Sequence, residues 1–332
     1  MTPTPWYLYV AFIGFVLGML ALDLRFSKSK ERESGLKQSA IWTVVWIGLA
    51  IAFGFGLLAV RGGEAGAAYF AGWLVEKSLS VDNMFVFVLV FSYFRVPLAY
   101  QHRVLFLGIL GAIVFRGIFI ALGVALIQSF EWILYLFGAL LIVTALRIAF
   151  GKTEIHPENN RIVRFFERRS LMTPRYHGSK LFVIEAGKRV ATPLLVCLAV
   201  IETTDILFAV DSIPAIFAIT TDPFIILTSN VFAILGLRSL YFLLVGSIER
   251  LHLLKYGLSV ILAFVGVKML GGVVDIHIST WVSLGVIAAV LGVTAFLSLA
   301  IYPPRKSEDE QDELSPPPGG TGALFEKERT PR

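Results

Sequence analysis

The chain has 332 residues, 56% of them hydrophobic and only 16% charged. A soluble protein of this length exposes far more polar surface, so the composition excludes a soluble globular fold and leaves a polytopic membrane protein. The formal net charge is +5 and Cys197 is the single cysteine, which excludes a disulfide framework and a thiolate site for a soft metal.

The apolar runs are long and do not alternate, so the spans read as helices and not as barrel strands. Helices of about 20 residues satisfy every backbone group inside lipid. Nine spans are predicted in chain order, at 6–24, 41–60, 67–94, 104–127, 130–150, 193–219, 224–246, 257–274 and 280–302. The first lacks a basic flank and a small-residue cleavage site, so it reads as a retained span. The third is longer than a bilayer needs, so it is tilted, broken or extended beyond the lipid. Together residues 1–302 form one transmembrane domain, and residues 303–332 form a disordered tail rich in Pro, Gly and acids.

The loops give the orientation. Loop 25–40 carries Arg25, Lys28, Lys30, Arg32 and Lys37; loop 95–103 carries Arg95 and Arg103; loop 151–192 carries nine Lys or Arg. Loop 247–256 carries Arg250 and Lys255, and the tail begins with Arg305 and Lys306. The alternate loops hold little besides Arg61, Asp222 and Asp275. Basic residues mark the cytoplasm, so the N-terminus is expected outside and the C-terminus inside. The positive charge is a topology signal and implies no nucleic-acid partner. Within the cytoplasmic loop, "NNRIVRFFERRSLM" is amphipathic and predicts an interfacial helix against anionic lipid, with a partner-binding surface as the alternative. His102, His156, His177, His252 and His277 fall in loops or at span ends, which argues against an imidazole metal site in the membrane.

Two spans carry acids. "EKSLSVDNMFVF" at 76–87 aligns with "DILFAVDSIPAI" at 205–216, placing Glu76 on Asp205, Asp82 on Asp211 and Asn83 on Ser212. One span later, "GAIVFRGIF" at 111–119 aligns with "AILGLRSLY" at 233–241, placing Arg116 on Arg238. Spans 3–5, about 67–150, therefore correspond to spans 6–8, about 193–274. Three helices are an odd number, so the two units cross in opposite directions. That is an inverted repeat, which places substrate near the midplane on interrupted helices.

An unpaired carboxylate at the bilayer centre costs about 3 kcal/mol. Arg116 and Arg238 pairing with two acids would be purely structural, but Glu76, Asp82, Glu202, Asp205 and Asp211 outnumber them. Asp205 and Asp211 lie about 120° apart in azimuth and about 9 Å apart in height on an ideal helix, so one straight helix does not aim both at one ion. Pro214 removes the hydrogen bond to Val210 and predicts a kink. Carboxylates, the Asn83 amide, the Ser80, Thr204 and Ser212 hydroxyls and freed carbonyls are hard oxygen donors. They suit Mn²⁺, Ca²⁺, Mg²⁺ or protons. The arginines are either tethered counter-charges or anion ligands.

Through "EKSLSVDNMFVF", "ETTDILFAVDSIPAIFAIT" and "SNVFAILGLRSLYFLL", the chain resembles the TerC family, which includes Alx-type membrane proteins, over about residues 5–302. The resemblance implies a nine-span bacterial inner-membrane protein, distantly similar to LysE-type exporters, with a role in manganese efflux. It also implies that Glu76, Asp82, Glu202, Asp205 and Asp211 handle the ion, with Asn83 and Asn230 at further family positions. The resulting expectation is an all-α secondary exporter of a divalent cation, foremost Mn²⁺, in exchange for protons, with no tightly bound cofactor. Asp82 and Asp211 are its expected central ligands. No phosphate-binding G-x-x-x-x-G-K-[ST] motif occurs, so an ion gradient is the expected drive. The alternatives are a cation or proton channel, and a non-transporting scaffold such as a tellurite-resistance component. No catalytic Ser/His/Asp or Cys/His set falls within one span, so no enzyme is expected.

Overall fold

The computed structural model describes residues 4–28, 36–130, 132–151, 173, 175–185, 187–245, 253–272 and 278–301, apart from the side chains of 23–28, 36, 82, 188 and 299. The expected interfacial helix, the tail, Asp275, His156, His252 and His277 lie outside the described residues. Ten helices occur among the described residues: α1 Trp6–Lys28, α2 Leu36–Arg61, α3 Gly63–Phe94, α4 Leu98–Ser129, α5 Ile133–Phe150, α6 Pro193–Phe217, α7 Pro223–Ile234, α8 Leu237–Leu244, α9 Leu254–Gly271 and α10 Thr280–Ile301.

Every one of the nine expected intervals is helical, and the seventh is shared by α7 and α8. Among the described residues, seven spans are long and apolar enough to cross a membrane: α2, α4, α5, α6, the α7–α8 pair, α9 and α10. The two other intervals hold α1, with its apolar run Trp6–Leu22, and α3, which is 32 residues long.

Local chemistry explains the helix starts. Pro193 and Pro223 stand at first-turn positions, where the missing N–H is harmless. Asp222 caps α7 by accepting from the N–H groups of Phe224 and Ile225, at 2.9 and 3.3 Å. The expected break at Pro214 is a near-terminus: α6 continues through it and stops at Phe217, one turn later. A sharper break occurs where no proline stands, between α7 and α8. There Gly236 adopts φ +81, in the left-handed region.

One hairpin departs from the all-helical expectation. In the long loop, β1 Phe182–Glu185 pairs antiparallel with β2 Lys188–Ala191, and Val183 faces Val190 in register. The β-branched Val183, Ile184 and Val190 on either side of Gly187 are strand chemistry that the basic character of this loop obscures.

The packing puts α7–α8 at the centre. Its apolar window is 89% buried, against 11% for the peripheral α10. α3 packs on α7, α4 on α6, α5 on α9, and α3 also on α6. Aromatic side chains of α1, α2, α3 and α7 lock one side of this core, with the Phe53 and Phe232 rings 5.0 Å apart and Phe53 and Tyr69 5.4 Å apart.

The two ends of the bundle differ in chemistry. At one end Arg61 bonds Asp222 at 3.1 Å and donates to Thr4 at 2.9 Å, tying the ends of α2 and α7 to the start of α1. At the opposite end the Tyr176 hydroxyl donates to the Phe94 carbonyl at 2.6 Å, and Arg103 donates to Ser179 at 2.7 Å. Burial pushes the Tyr176 phenol up to about 12, so it stays a donor at neutral pH.

Candidate ion site

Four helices deliver polar groups to one point. Glu76 comes from α3, Arg116 from α4, Asp205 and Ser212 from α6, and Asn230 from α7. All are buried, from 0% exposed for Asn230 to 8% for Asp205. Arg116 is the hub. Its Nη1 contacts Glu76 Oε1 directly. Its Nη2 and Nε donate to the two oxygens of Asp205, at 3.2 and 3.5 Å. Nη1 also donates to Ser212 Oγ at 3.4 Å and Asn230 Oδ1 at 3.5 Å. Asn230 Nδ2 completes the ring by donating to Glu76 Oε2 at 3.1 Å.

A buried ion pair holds only when extra hydrogen bonds satisfy the remaining lone pairs. Asn230 and Ser212 supply those bonds. Two carboxylates share one guanidinium, so these five side chains leave one negative charge uncompensated among themselves. Two further buried oxygens have no hydrogen-bond partner among the described residues: Ser80 Oγ, one turn beyond Glu76, and Glu202 Oε2, three residues before Asp205. Unsatisfied buried acceptors are rare enough to call for an explanation, and a cation or a proton is one.

The expected acids divide among three settings. Glu76 and Asp205, equivalent in the sequence alignment, meet at Arg116. Glu202 packs on the backbone of α4, where any side chain at Gly111 would fall on its carboxylate. Asp211 turns toward α5 instead, accepting from the Thr144 hydroxyl at 2.8 Å. That division follows from a helix running unbroken between 205 and 211. The Asp82 side chain lies outside the described residues, and Asn83 beside it is 4% exposed. Among the described residues no group of three or more His, Cys, Asp or Glu is gathered to hold a metal. Among the described side chains, Glu76 and Asp205 come together, while Glu202 and Asp211 face other partners. Arg238 opens α8 just after the break, is 7% exposed, and its charge acts on the His102 ring of α4.

Three contributors went unread in the sequence. Lys77 Nζ donates to the Ala233 carbonyl at 3.1 Å, beside the α7–α8 break. A lysine next to Glu76 in an apolar span was the available signal. Gly111 makes room for Glu202, and Thr144 holds Asp211; neither stands out in its span.

The integral membrane protein TerC family model matches residues 61–307, which takes in α3 to α10. The membrane protein STKORF319 of Myxococcus xanthus is 48% identical over 294 residues, 88% of this chain and 92% of its own length. Alx of Escherichia coli K12, which carries the provisional name of a membrane-bound redox modulator, is 46% identical over 302 residues, 88% of this chain and 94% of its own. The thylakoid membrane protein TERC of Arabidopsis thaliana is 46% identical over 283 residues, 85% of this chain and 73% of its own. None of these names is an enzyme's. No solved structure matches the chain. The acid-bearing motifs lie within the matched region, and the chain belongs to the TerC family of integral membrane proteins.

Proposed function

We propose that the protein is a secondary exporter that moves a divalent cation, foremost Mn²⁺, out of the cytoplasm in exchange for protons. The observation that carries this reading is the buried Glu76–Arg116–Asp205 cluster, with its excess carboxylate and the unpartnered oxygens of Ser80 and Glu202. Oxygen-only donors select a hard cation. In the arrangement described, the Arg116 guanidinium occupies the place between the carboxylates. An incoming divalent cation takes over that role and displaces it. Protons compete for the same oxygens, and that competition is the exchange. Asp82 and Asp211 extend the route beyond the cluster on α3 and α6.

The packing supports an inverted repeat of spans 3–5 and 6–8. Under such a repeat, contacts come in exchanged pairs: α3 with the α7–α8 span matches α6 with α4, and α5 faces its own counterpart α9. The end chemistry supports a cytoplasmic side at the Tyr176 end, where Arg95, Arg103, Arg175, Lys180 and Arg189 are all exposed. At the other end Arg61 and Lys268 are both tethered, Lys268 to Ser283 at 2.9 Å. A dithiol redox cycle within the chain has no second thiol, since Cys197 is the one cysteine and is buried.

The test is Mn²⁺ uptake into proteoliposomes holding a metal-sensitive dye, with and without an opposing proton gradient. Native protein gives gradient-stimulated uptake; Glu76→Gln and Asp205→Asn fall to the level of empty liposomes. Asp211→Asn keeps an acceptor for Thr144, so it folds and retains uptake but loses stimulation by the gradient. No uptake by folded native protein, or equal uptake by all variants, overturns the exporter in favour of a scaffold.

Gly111→Ala separates position from charge. The new methyl group displaces the Glu202 carboxylate, a flexible side-chain end, so the melting midpoint moves little while uptake falls severalfold. A large loss of stability with uptake per folded molecule unchanged would show that Glu202 takes no part in the route.

A further inference from the structure

We propose that a cavity at the Arg61 end is the outer mouth of the ion route, and that Ile216, closed over Gly72 and Ser229, is the barrier between this mouth and the Glu76 cluster. The proposal rests on the exporter reading above. The cavity measures about 390 Å³ and is lined by residues that include Glu64, Ala68, Ile219, Thr221, Asp222 and Ile225.

Three segments lead from this cavity inward to the cluster. On α3, Glu64, Ala68, Gly72 and Glu76 follow one another at four-residue spacing, on a stripe that turns only about 40° per step. The first two line the cavity and the last holds Arg116. Just past the end of α6, Ile219 lines the cavity; inward on the helix Ile216 follows, and Ser212 touches Arg116. On α7, Ile225 lines the cavity, and the adjacent Ser229 and Asn230 point to different neighbours: Ser229 to Gly72 and Asn230 to Arg116. The middle members meet. A Cβ at Gly72 would lie 3.0 Å from Ile216 Cδ1 and 3.1 Å from Ser229 Oγ. Ile216 and Ser229 are 1% and 0% exposed.

Four residues rise about 6 Å, so a single side-chain layer separates the polar cavity from the polar cluster. That layer is one isoleucine resting on a glycine. The Ser229 hydroxyl donates to the Ile225 carbonyl at 2.7 Å. Arg61 holds Asp222 at 3.1 Å, and Glu64 lines the same cavity. A hydrated divalent cation leaving the cluster meets two carboxylates there, one of them already paired with a base.

Cysteine accessibility tests this without any flux. Cys197 is buried at 0% exposure, so the native chain is a silent background. In right-side-out membrane vesicles, Ala68→Cys and Thr221→Cys are expected to react with a membrane-impermeant methanethiosulfonate, and Ser229→Cys is not. Adding Ile216→Ala to Ser229→Cys is expected to raise its labelling rate by at least about tenfold. Labelling in detergent after denaturation counts the protein present. If the alanine variant fails to accumulate, Ile216→Val replaces it with the same expected direction. Ala68→Cys and Thr221→Cys reacting only in inside-out vesicles, or in neither orientation, overturns the mouth. Ser229→Cys labelling equally with and without the Ile216 change overturns the barrier. The expected labelling pattern with no Mn²⁺ uptake would sink the exporter and leave the mouth and barrier standing.

Discussion

Replacing Arg116 with methionine is expected to lower stability by about 3–5 kcal/mol, because it strands Glu76 and Asp205 in the protein interior without their shared cation. The guanidinium makes bonds to four side chains from three other helices, and methionine makes none of them. The loss is read as the fall in unfolding midpoint of purified protein in detergent. Two companions separate charge from shape. Arg116→Met combined with Glu76→Gln and Asp205→Asn removes all three charges and is expected to regain most of the stability. Arg116→Lys keeps the charge but loses the planar fork that grips Asp205 through two nitrogens, and falls between native and methionine. Millimolar Mn²⁺ is then expected to raise the midpoint of Arg116→Met more than that of native protein, since the metal no longer competes with a tethered cation. A midpoint unchanged by Arg116→Met would mean that the two carboxylates are compensated elsewhere. Equal Mn²⁺ shifts in both proteins would mean that the metal and the guanidinium do not share a place.

What was legible in the sequence follows from what a bilayer enforces. The helical intervals could be read because lipid leaves the backbone no alternative across about 20 apolar residues. The same logic picked out Glu76, Asp205 and Arg116, because charges in such a setting stand out by their cost. Even the divergence of Asp205 and Asp211 could be read, since helical azimuth is fixed by residue count. Partner identity could not. Thr144 is a single hydroxyl in a largely apolar span, and only the packing of α5 on α6 reveals that it reaches Asp211. The helix break was sought at Pro214 because proline has a visible mechanism. It occurs at Gly236, where the cause is a positive φ that glycine permits but does not announce. The hairpin was missed for a similar reason: two four-residue strands are too short to outweigh the basic charge around them.

That break at Gly236 carries the second large effect. α7 and α8 have 12 and 8 residues and would together rise about 30 Å, so the discontinuity falls well inside the depth of a bilayer. It frees backbone groups where water is scarce, and the Lys77 ammonium answers one of them at the Ala233 carbonyl. Gly236→Ala is expected to lower stability by about 2–5 kcal/mol, from two separable sources. One is the left-handed φ of +81. The other is overlap, because the new methyl group would lie 2.8 Å from Cβ, Cγ and Cδ1 of Trp46, which is 2% exposed and has little room to retreat. A double-mutant cycle with Trp46→Ala divides them. In that background the overlap is gone, and Gly236→Ala is expected to cost only the backbone part, about 1–2 kcal/mol. An equal cost with and without the indole would assign the whole effect to the backbone. A negligible cost in both would mean that α7 and α8 do not need glycine to part. In that event Lys77→Met, which removes the donor to the Ala233 carbonyl, should also be silent. If the break is maintained as described, Lys77→Met instead leaves the Ala233 carbonyl unanswered and is expected to lower the midpoint by the equivalent of about 1–3 kcal/mol.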